Sequence, residues 1–177
     1  MTSSPIKYII MNAYLFLVTG MSFAFVSCQR HSDMQGRGAD FLQGVWKQDS
    51  IPQQGEMLSY TLHEFKFVCD SLYTTMHVHS SVQTIPDSCF KDGQWIEYAK
   101  AVYVVRGDSI LVEGVYTKEN GKQKISGCYK SGQYLPRFKI AYSSSDSLVL
   151  ENRFDSRPIV LRKTADITCV PKKRWEM

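Results

Sequence analysis

This chain has little excess of charge of either sign. Its 177 residues carry 21 Lys+Arg against 17 Asp+Glu, a net charge of +4. The excess is scattered, so it does not form the basic stripe that nucleic-acid binding requires. Catalytic signatures are missing too. There is no Gly-X-Ser-X-Gly, His-Glu-X-X-His, Gly-rich phosphate loop or Cys-X-X-Cys, so nothing points to a nucleophilic, zinc, nucleotide or thiol-redox enzyme, and no cofactor is implied. The carboxylates Glu113 and Glu151 alternate with apolar neighbours and read as solvent-facing. No window of about eleven residues has a convincing helical period. Apolar residues, by contrast, are plentiful at 44%, with 12% aromatics, which excludes wholesale disorder. The length suits one domain, which can bury about two-thirds of its surface without an obligatory metal or disulfide.

The N-terminus reads as an address. After Lys7 come 20 uncharged residues, Tyr8 to Ser27, with small residues near the end, the plan of a secretory signal. The run also approaches the ~20 residues that a membrane-spanning helix needs. Its last residues, Phe25-Val26-Ser27-Cys28, resemble a bacterial lipobox, with Phe25 where Leu is usual, as in the relaxed boxes of Bacteroidota lipoproteins. The resemblance implies that residues 1–27 are a signal peptide and that Cys28 is lipidated and becomes the new N-terminus. The protein is then held in the cell envelope through an N-terminal lipid, with the outer membrane as the expected site. An ordinary cleaved signal and an uncleaved anchor are the alternatives. Residues 28–40 are polar, contain Gly36 and Gly38, and read as a flexible tether. The acidic run that directs some relatives to the cell surface is replaced by Gln29-Arg30-His31-Ser32-Asp33, which leaves periplasmic or surface orientation open.

From Phe41 onward, short alternating segments rich in Val, Ile, Tyr, Phe and Thr predict an all-β domain. Nine strands are expected: Gly44–Gln48, Leu58–Cys69, Leu72–His79, Tyr98–Arg106, Ile110–Lys118, Lys122–Lys130, Arg137–Tyr142, Leu148–Phe154 and Ile159–Lys163. Hairpin-linked strands in this number form an antiparallel up-and-down meander that curls or closes. Asp70-Ser71-Leu72, Asp108-Ser109-Ile110 and Asp146-Ser147-Leu148 recur at intervals of 38 residues. Turn chemistry explains the pattern most simply, since Asp and Ser bond their own backbone. A repeat fold is the sharper reading. The tripeptide also resembles the O-glycosylation acceptor of exported Bacteroidota proteins, which marks Ser50, Ser71, Ser109 and Ser147 as possible sites.

The domain opens with Phe41-Leu42-Gln43-Gly44-Val45-Trp46-Lys47. Gly-X-Trp on a first strand, ahead of a meander, resembles the lipocalin signature, and the chain is similar to small lipocalin-like lipoproteins of the Bacteroidota. That resemblance implies a barrel of about eight or nine strands over residues 41–169, followed by a basic tail at 170–177. It also implies a barrel-closing pair in which Arg162 packs across Trp46. The second, Asp-containing lipocalin motif is not evident. Such a barrel binds a small apolar or amphipathic ligand; the alternative is a side-chain-filled barrel that serves as an interaction or inhibitor module. Alternation puts Tyr103 and Tyr116 on interior-facing positions, and these two with Phe67 are the candidates for lining a ligand cavity.

His63, His77 and His79 invite a metal reading. A two-residue turn at Asp70-Ser71 would pair His63 with Val78 and place it inside, with His77 and His79 outside, so no metal site is expected. With Cys28 assigned to lipid, Cys69, Cys89, Cys128 and Cys169 remain. An even count outside the cytoplasm suggests two disulfides in one of three connectivities, with Cys169 stapling the C-terminal tail to the wall. Four unpaired buried thiols are the alternative. The terminal Lys172-Lys173-Arg174 could touch anionic headgroups. Ligand identity and oligomeric state are left open.

Overall fold

The computed structural model describes residues 35–152 and 155–172. Cys28, the segment 1–34, Phe154 and the Lys173-Arg174 end of the tail lie outside the described residues. The strands are β1 (Gly44–Lys47), β2 (Ser59–Val68), β3 (Ser71–Ser80), β4 (Gln94–Arg106), β5 (Ser109–Thr117), β6 (Gln133–Tyr134), β7 (Arg137–Ser143), β8 (Ser147–Asn152) and β9 (Asp155–Ala165). They form one antiparallel sheet in the order β4-β3-β2-β1-β9-β8-β7-β5-β6, and a further β4–β5 pairing closes it into a barrel. The short β6 and β7 both pair with β5 in one continuous register, Gly114 opposite Tyr134 and Leu111 opposite Arg137. They are one stave interrupted at Leu135-Pro136, where proline supplies no N–H to a ladder. The closed wall therefore has eight staves, and the expectation of an all-β, antiparallel up-and-down meander that closes into a barrel is borne out.

One expected strand is absent. Lys122–Lys130 is a loop whose ladder pairing with the sheet is a single isolated bridge, Thr117 to Gln123. Gly127, Tyr129 and Gly132 all have positive φ, at 115°, 69° and 81°, and left-handed backbone does not extend a strand. Two other strands start earlier than alternation suggested, β4 at Gln94 and β9 at Asp155.

The 38-residue recurrence is turn chemistry. Each Asp ends a two-residue turn at the same end of the barrel, and each following Ser opens a strand: Val68 pairs Ser71, Arg106 pairs Ser109, and Ser144 N–H reaches Ser147 O at 2.8 Å. The three aliphatics, Leu72, Ile110 and Leu148, are all buried. Each Asp carbonyl also accepts an N–H from a further strand: Tyr103 to Asp70 at 2.8 Å, Ile140 to Asp108 at 2.7 Å and Lys163 to Asp146 at 2.8 Å. These bonds stitch each hairpin to a neighbouring stave. The first turn is Cys69-Asp70, not Asp70-Ser71, because Cys69 takes φ +56°. The β2–β3 register is accordingly displaced from expectation, and His63 faces Met76, not Val78.

The turn end is plugged. A 3-10 turn at Asp40–Leu42 drops Leu42 into the core, where Trp46, Phe65, Phe67, Phe138 and Leu161 are also buried. Trp46 is fully enclosed, and its indole N–H donates to Leu42 O at 2.7 Å. Gln43 Nε2 donates to Cys69 O at 2.9 Å and to Ala39 O at 3.1 Å, while Cys69 N–H donates to Gln43 Oε1 at 2.7 Å. The Tyr103 hydroxyl donates to Cys69 O at 2.8 Å and accepts from Ala39 N–H at 3.1 Å and Gln43 Nε2 at 3.0 Å. Gly38 must be glycine here: its φ is +67°, and a Cβ would fall 1.9 Å from Cys69 O.

The tether expected over residues 28–40 is thus corrected from Gln35 onward. Gly36 N–H donates to Asp70 Oδ2 at 2.7 Å, Gly36 O accepts from Asp70 N–H at 3.1 Å, and Gln35 Nε2 donates to Ser71 Oγ at 3.0 Å. The Cys69–Cys169 disulfide, spanning 100 residues of sequence, binds the C-terminal segment to the same end. The expected staple by Cys169 is therefore present, and the second bridge is Cys89–Cys128.

The Tyr103 hydroxyl is a buried hub, so Tyr103→Phe should lower unfolding stability by about 1–2 kcal/mol, through loss of a hydrogen bond and exposure of unpaired backbone groups. The exposed Tyr142→Phe should stay within about 0.5 kcal/mol. Urea denaturation followed by far-UV circular dichroism compares the two.

Candidate ligand pocket at the open end of the barrel

Opposite the plugged end, the staves splay around a cavity of about 390 Å³. Its wall takes Ser59, Tyr60, Thr61 and His63 from β2, Met76 and Val78 from β3, and Trp95 and Glu97 from β4. Gln48 and Ile51 come from the segment after β1, Asn152, Arg157, Pro158 and Ile159 from the β8–β9 hairpin, and Lys130 from the β5–β6 loop. Alternation explains the β2 and β3 contributions. Phe65 and Phe67 are buried low in the barrel, and two-residue steps along β2 bring His63 and Thr61 onto the same inner face higher up. Met76 follows Leu72 and Thr74 in the same way on β3.

The rim beside β4 is held by a disulfide and ring stacking. Cys89, in the one-turn helix Asp87–Phe90, is bridged to Cys128 in the loop. Tyr129 stacks on Trp95 with centroids 5.0 Å apart and planes within 4°, and its hydroxyl donates to Cys89 O. Lys124 Nζ sits 5.0 Å from the Tyr129 centroid on the loop's other limb. The loop then folds back so that Lys130 N–H donates to Glu97 Oε2 at 3.2 Å, while the Trp95 indole N–H donates to Glu97 Oε1 at 3.1 Å. Glu97 is only 6% exposed. Its inner-face position on β4 continues as Ala99 and Ala101, and the small Ala99 faces Tyr116 across the β4–β5 ladder.

Below the cavity the interior is filled. Tyr134 packs edge-on against Tyr116 at 5.3 Å, and Thr74 Oγ1 lies enclosed beside the Tyr134 phenol without a hydrogen bond of standard geometry. Burial pushes the Tyr134 phenol well above the ordinary tyrosine range; the neighbouring Thr74 hydroxyl lowers it and Tyr116 raises it. Tyr116 is raised by burial and then by the Glu97 carboxylate.

The residues singled out from the sequence fall elsewhere. Phe67, Tyr103 and Tyr116 all point inward, but none lines the cavity: Phe67 and Tyr103 pack edge-on at 5.0 Å in the plugged half, and Tyr116 belongs to the filled middle. They are corrected from cavity wall to core. Each strand's inward face runs through both barrel halves, so facing inward does not say which half a residue occupies. Trp46 is fully buried at the plugged end, and the cation over its ring is Lys163, not the expected Arg162: Lys163 Nζ lies 5.1 Å from the ring centroid and pairs with Asp166 at 2.9 Å. Lys163 shares the inner face with Ile159 and Leu161, whereas Arg162 is exposed opposite Lys47. That alternation was available in the sequence. His63 stands at the mouth with its Nδ1 3.2 Å from Gln48 Oε1. His77 and His79 line a groove on the outer wall with Lys47, Asp49, Leu62 and Glu64, and His79 stacks on Tyr60 at 4.7 Å. Among the glycosylation candidates, Ser50 is exposed, while Ser71, Ser109 and Ser147 are half-buried strand starts. Glu97, Trp95 and the Lys130 backbone were missed because their meeting depends on the loop that replaced an expected strand.

No family model matches the chain, and no curated protein matches it. Among solved structures it is similar to a lipocalin-like protein from Bacteroides uniformis, at 18% identity and a TM-score of 0.40, over 70% of this chain and 98% of that one.

The raised Tyr134 phenol makes stability depend on alkaline pH. The unfolded chain releases this proton near pH ~10 while the folded barrel holds it, so stability is complete below that point and falls as pH rises, by at most about 1.4 kcal/mol per pH unit. Tyr134→Phe should flatten this decline in chemical denaturation midpoints collected from neutral to strongly alkaline pH.

Proposed function

We propose that the protein is a lipid-anchored envelope protein whose barrel carries a small amphipathic ligand in its open mouth. One observation carries this reading. The mouth cavity, at about 390 Å³, exceeds the lower bound of ~300 Å³ typical of small-molecule sites. A barrel packed solid along its whole length, as an interaction module would have, fits the lower half only. The wall mixes apolar groups (Ile51, Met76, Val78, Ile159) with hydrogen-bonding ones (Gln48, Glu97, Asn152). That mixture favours a molecule with a polar head and a short apolar body over a wholly apolar one. Two disulfides support an oxidising compartment, which agrees with the export signal and with a lipid on Cys28. The described chain enters the barrel at its plugged end, at Gln35, opposite the mouth.

Thr61 and Val78 face each other across the β2–β3 ladder in the cavity wall. Filling that position with Thr61→Trp should weaken binding of the fluorescent amphiphile N-phenyl-1-naphthylamine by about tenfold or more, because the ring takes the space that the ligand needs. An unchanged affinity in a folded variant would place the ligand site elsewhere. For the anchor, cells expressing the chain and fed radiolabelled palmitate should label it, and Cys28→Ala should abolish the label and release the protein from the membrane fraction.

A further inference from the structure

We infer that the mouth pocket selects ligands whose polar head is a protonated amine, which Glu97 receives; this rests on the ligand-carrying reading above. Glu97 is the buried charged group of the pocket wall, at 6% exposure. Its two oxygens each accept one hydrogen bond, from the Trp95 indole N–H at 3.1 Å and from the Lys130 backbone N–H at 3.2 Å. Both donors are uncharged. A carboxylate accepts about four hydrogen bonds, so roughly half of its capacity is unused.

Among the described residues, no cation pairs with it. The ion pairs there, Lys139–Glu151 and Lys163–Asp166, lie elsewhere on the barrel. Lys130 turns only its backbone to Glu97, and its side chain is exposed. Burying a carboxylate without a counter-charge is unfavourable, and a cation brought by a ligand removes that penalty on binding. The rim is built to hold the carboxylate in place: the Cys89–Cys128 bridge and the Trp95–Tyr129 stack fix the loop that delivers the Lys130 N–H. Trp95, in the same wall, also favours a cation over an anion through its ring quadrupole. The cationic wall residues Lys130 and Arg157 are exposed, so an anionic head would meet them in water-screened surroundings, while an ammonium reaching inward meets Glu97 where screening is weak. Met76, Val78 and Ile159 supply the apolar side for a short chain.

Isothermal titration calorimetry of the mature protein at neutral pH, with n-octylamine, n-octanol and sodium octanoate as three probes of equal chain length, tests the inference. Octylamine should bind about tenfold or more tighter than octanol, as a charge-assisted hydrogen bond provides, and octanoate should bind weakest. In Glu97→Gln, with the fold verified by circular dichroism, the amine-to-alcohol ratio should collapse to about unity. Octanol or octanoate binding the wild type as tightly as octylamine, or a ratio that survives Glu97→Gln, overturns the inference and leaves the mouth as a ligand site. Binding of none of the three overturns both readings. The wild-type comparison decides the point by itself if Glu97→Gln does not fold.

Discussion

The structure depends on how one end of the barrel is sealed, and the seal is a buried amide. Gln43 uses its carbonyl to accept from Cys69 N–H and its amino group to donate to Cys69 O, so one side chain satisfies both backbone groups of a residue in a left-handed turn. Such a turn inside a barrel would otherwise leave polar groups without partners, at a cost of about 1–3 kcal/mol each. Tyr103 joins the same node from β4. Because the node draws in Ala39, the N-terminal segment crosses the barrel end, and Leu42 and Trp46 follow it into the core. The Cys69–Cys169 bridge adds the C-terminal segment to the plug, a closed loop long enough for a contribution of about 4–5 kcal/mol in the chain-entropy view.

Sealing one end decides where function can sit. Phe67 and Tyr103, aromatic residues whose inward positions alone would offer them to a ligand, are consumed by the plug. The middle of the barrel is filled by Tyr116 and Tyr134, admitted because β4 presents alanines at positions 99 and 101 on its inner face. Space remains only at the other end, where the inner face carries Thr61, His63, Val78 and Glu97. The same eight-staved wall therefore has a hydrophobic half that supplies stability and a mixed half that supplies a site. The three Asp-Ser turns all lie at the sealed end, where their carbonyls bind adjacent hairpins together. At the mouth the β1–β2, β3–β4 and β5–β6 connections are longer, and the last two are joined by the Cys89–Cys128 disulfide and carry the Tyr129 ring onto Trp95.

The strand pattern and the sealing tryptophan were legible because they follow from local rules. Period-two alternation from Phe65 to Phe67 and from Leu148 to Leu150 marks buried faces, and turn residues mark the hairpins. The cation over Trp46 is Lys163, which shares a parity with Leu161, and the single step to Arg162 reverses the face. The cysteine pairing was open among three connectivities, since the sequence contains no distance between hairpins. The β2–β3 register moved because a left-handed Cys69 is stabilised by Gln43, 26 positions away, and no local signal contains that bond.

By itself, the sequence determined the class of the fold, the strand faces, the absence of familiar catalytic motifs and the even set of cysteines available for pairing. These follow from short-range sterics and from the hydrophobic alternation of a pleated sheet. Only the tertiary structure decided which end of the barrel is plugged, which inward residues are core and which are wall, and that Glu97, Trp95 and Lys130 meet. Those outcomes arise where segments far apart in sequence compete for one interior, and the depth of a residue along a barrel is set by its neighbours on other strands.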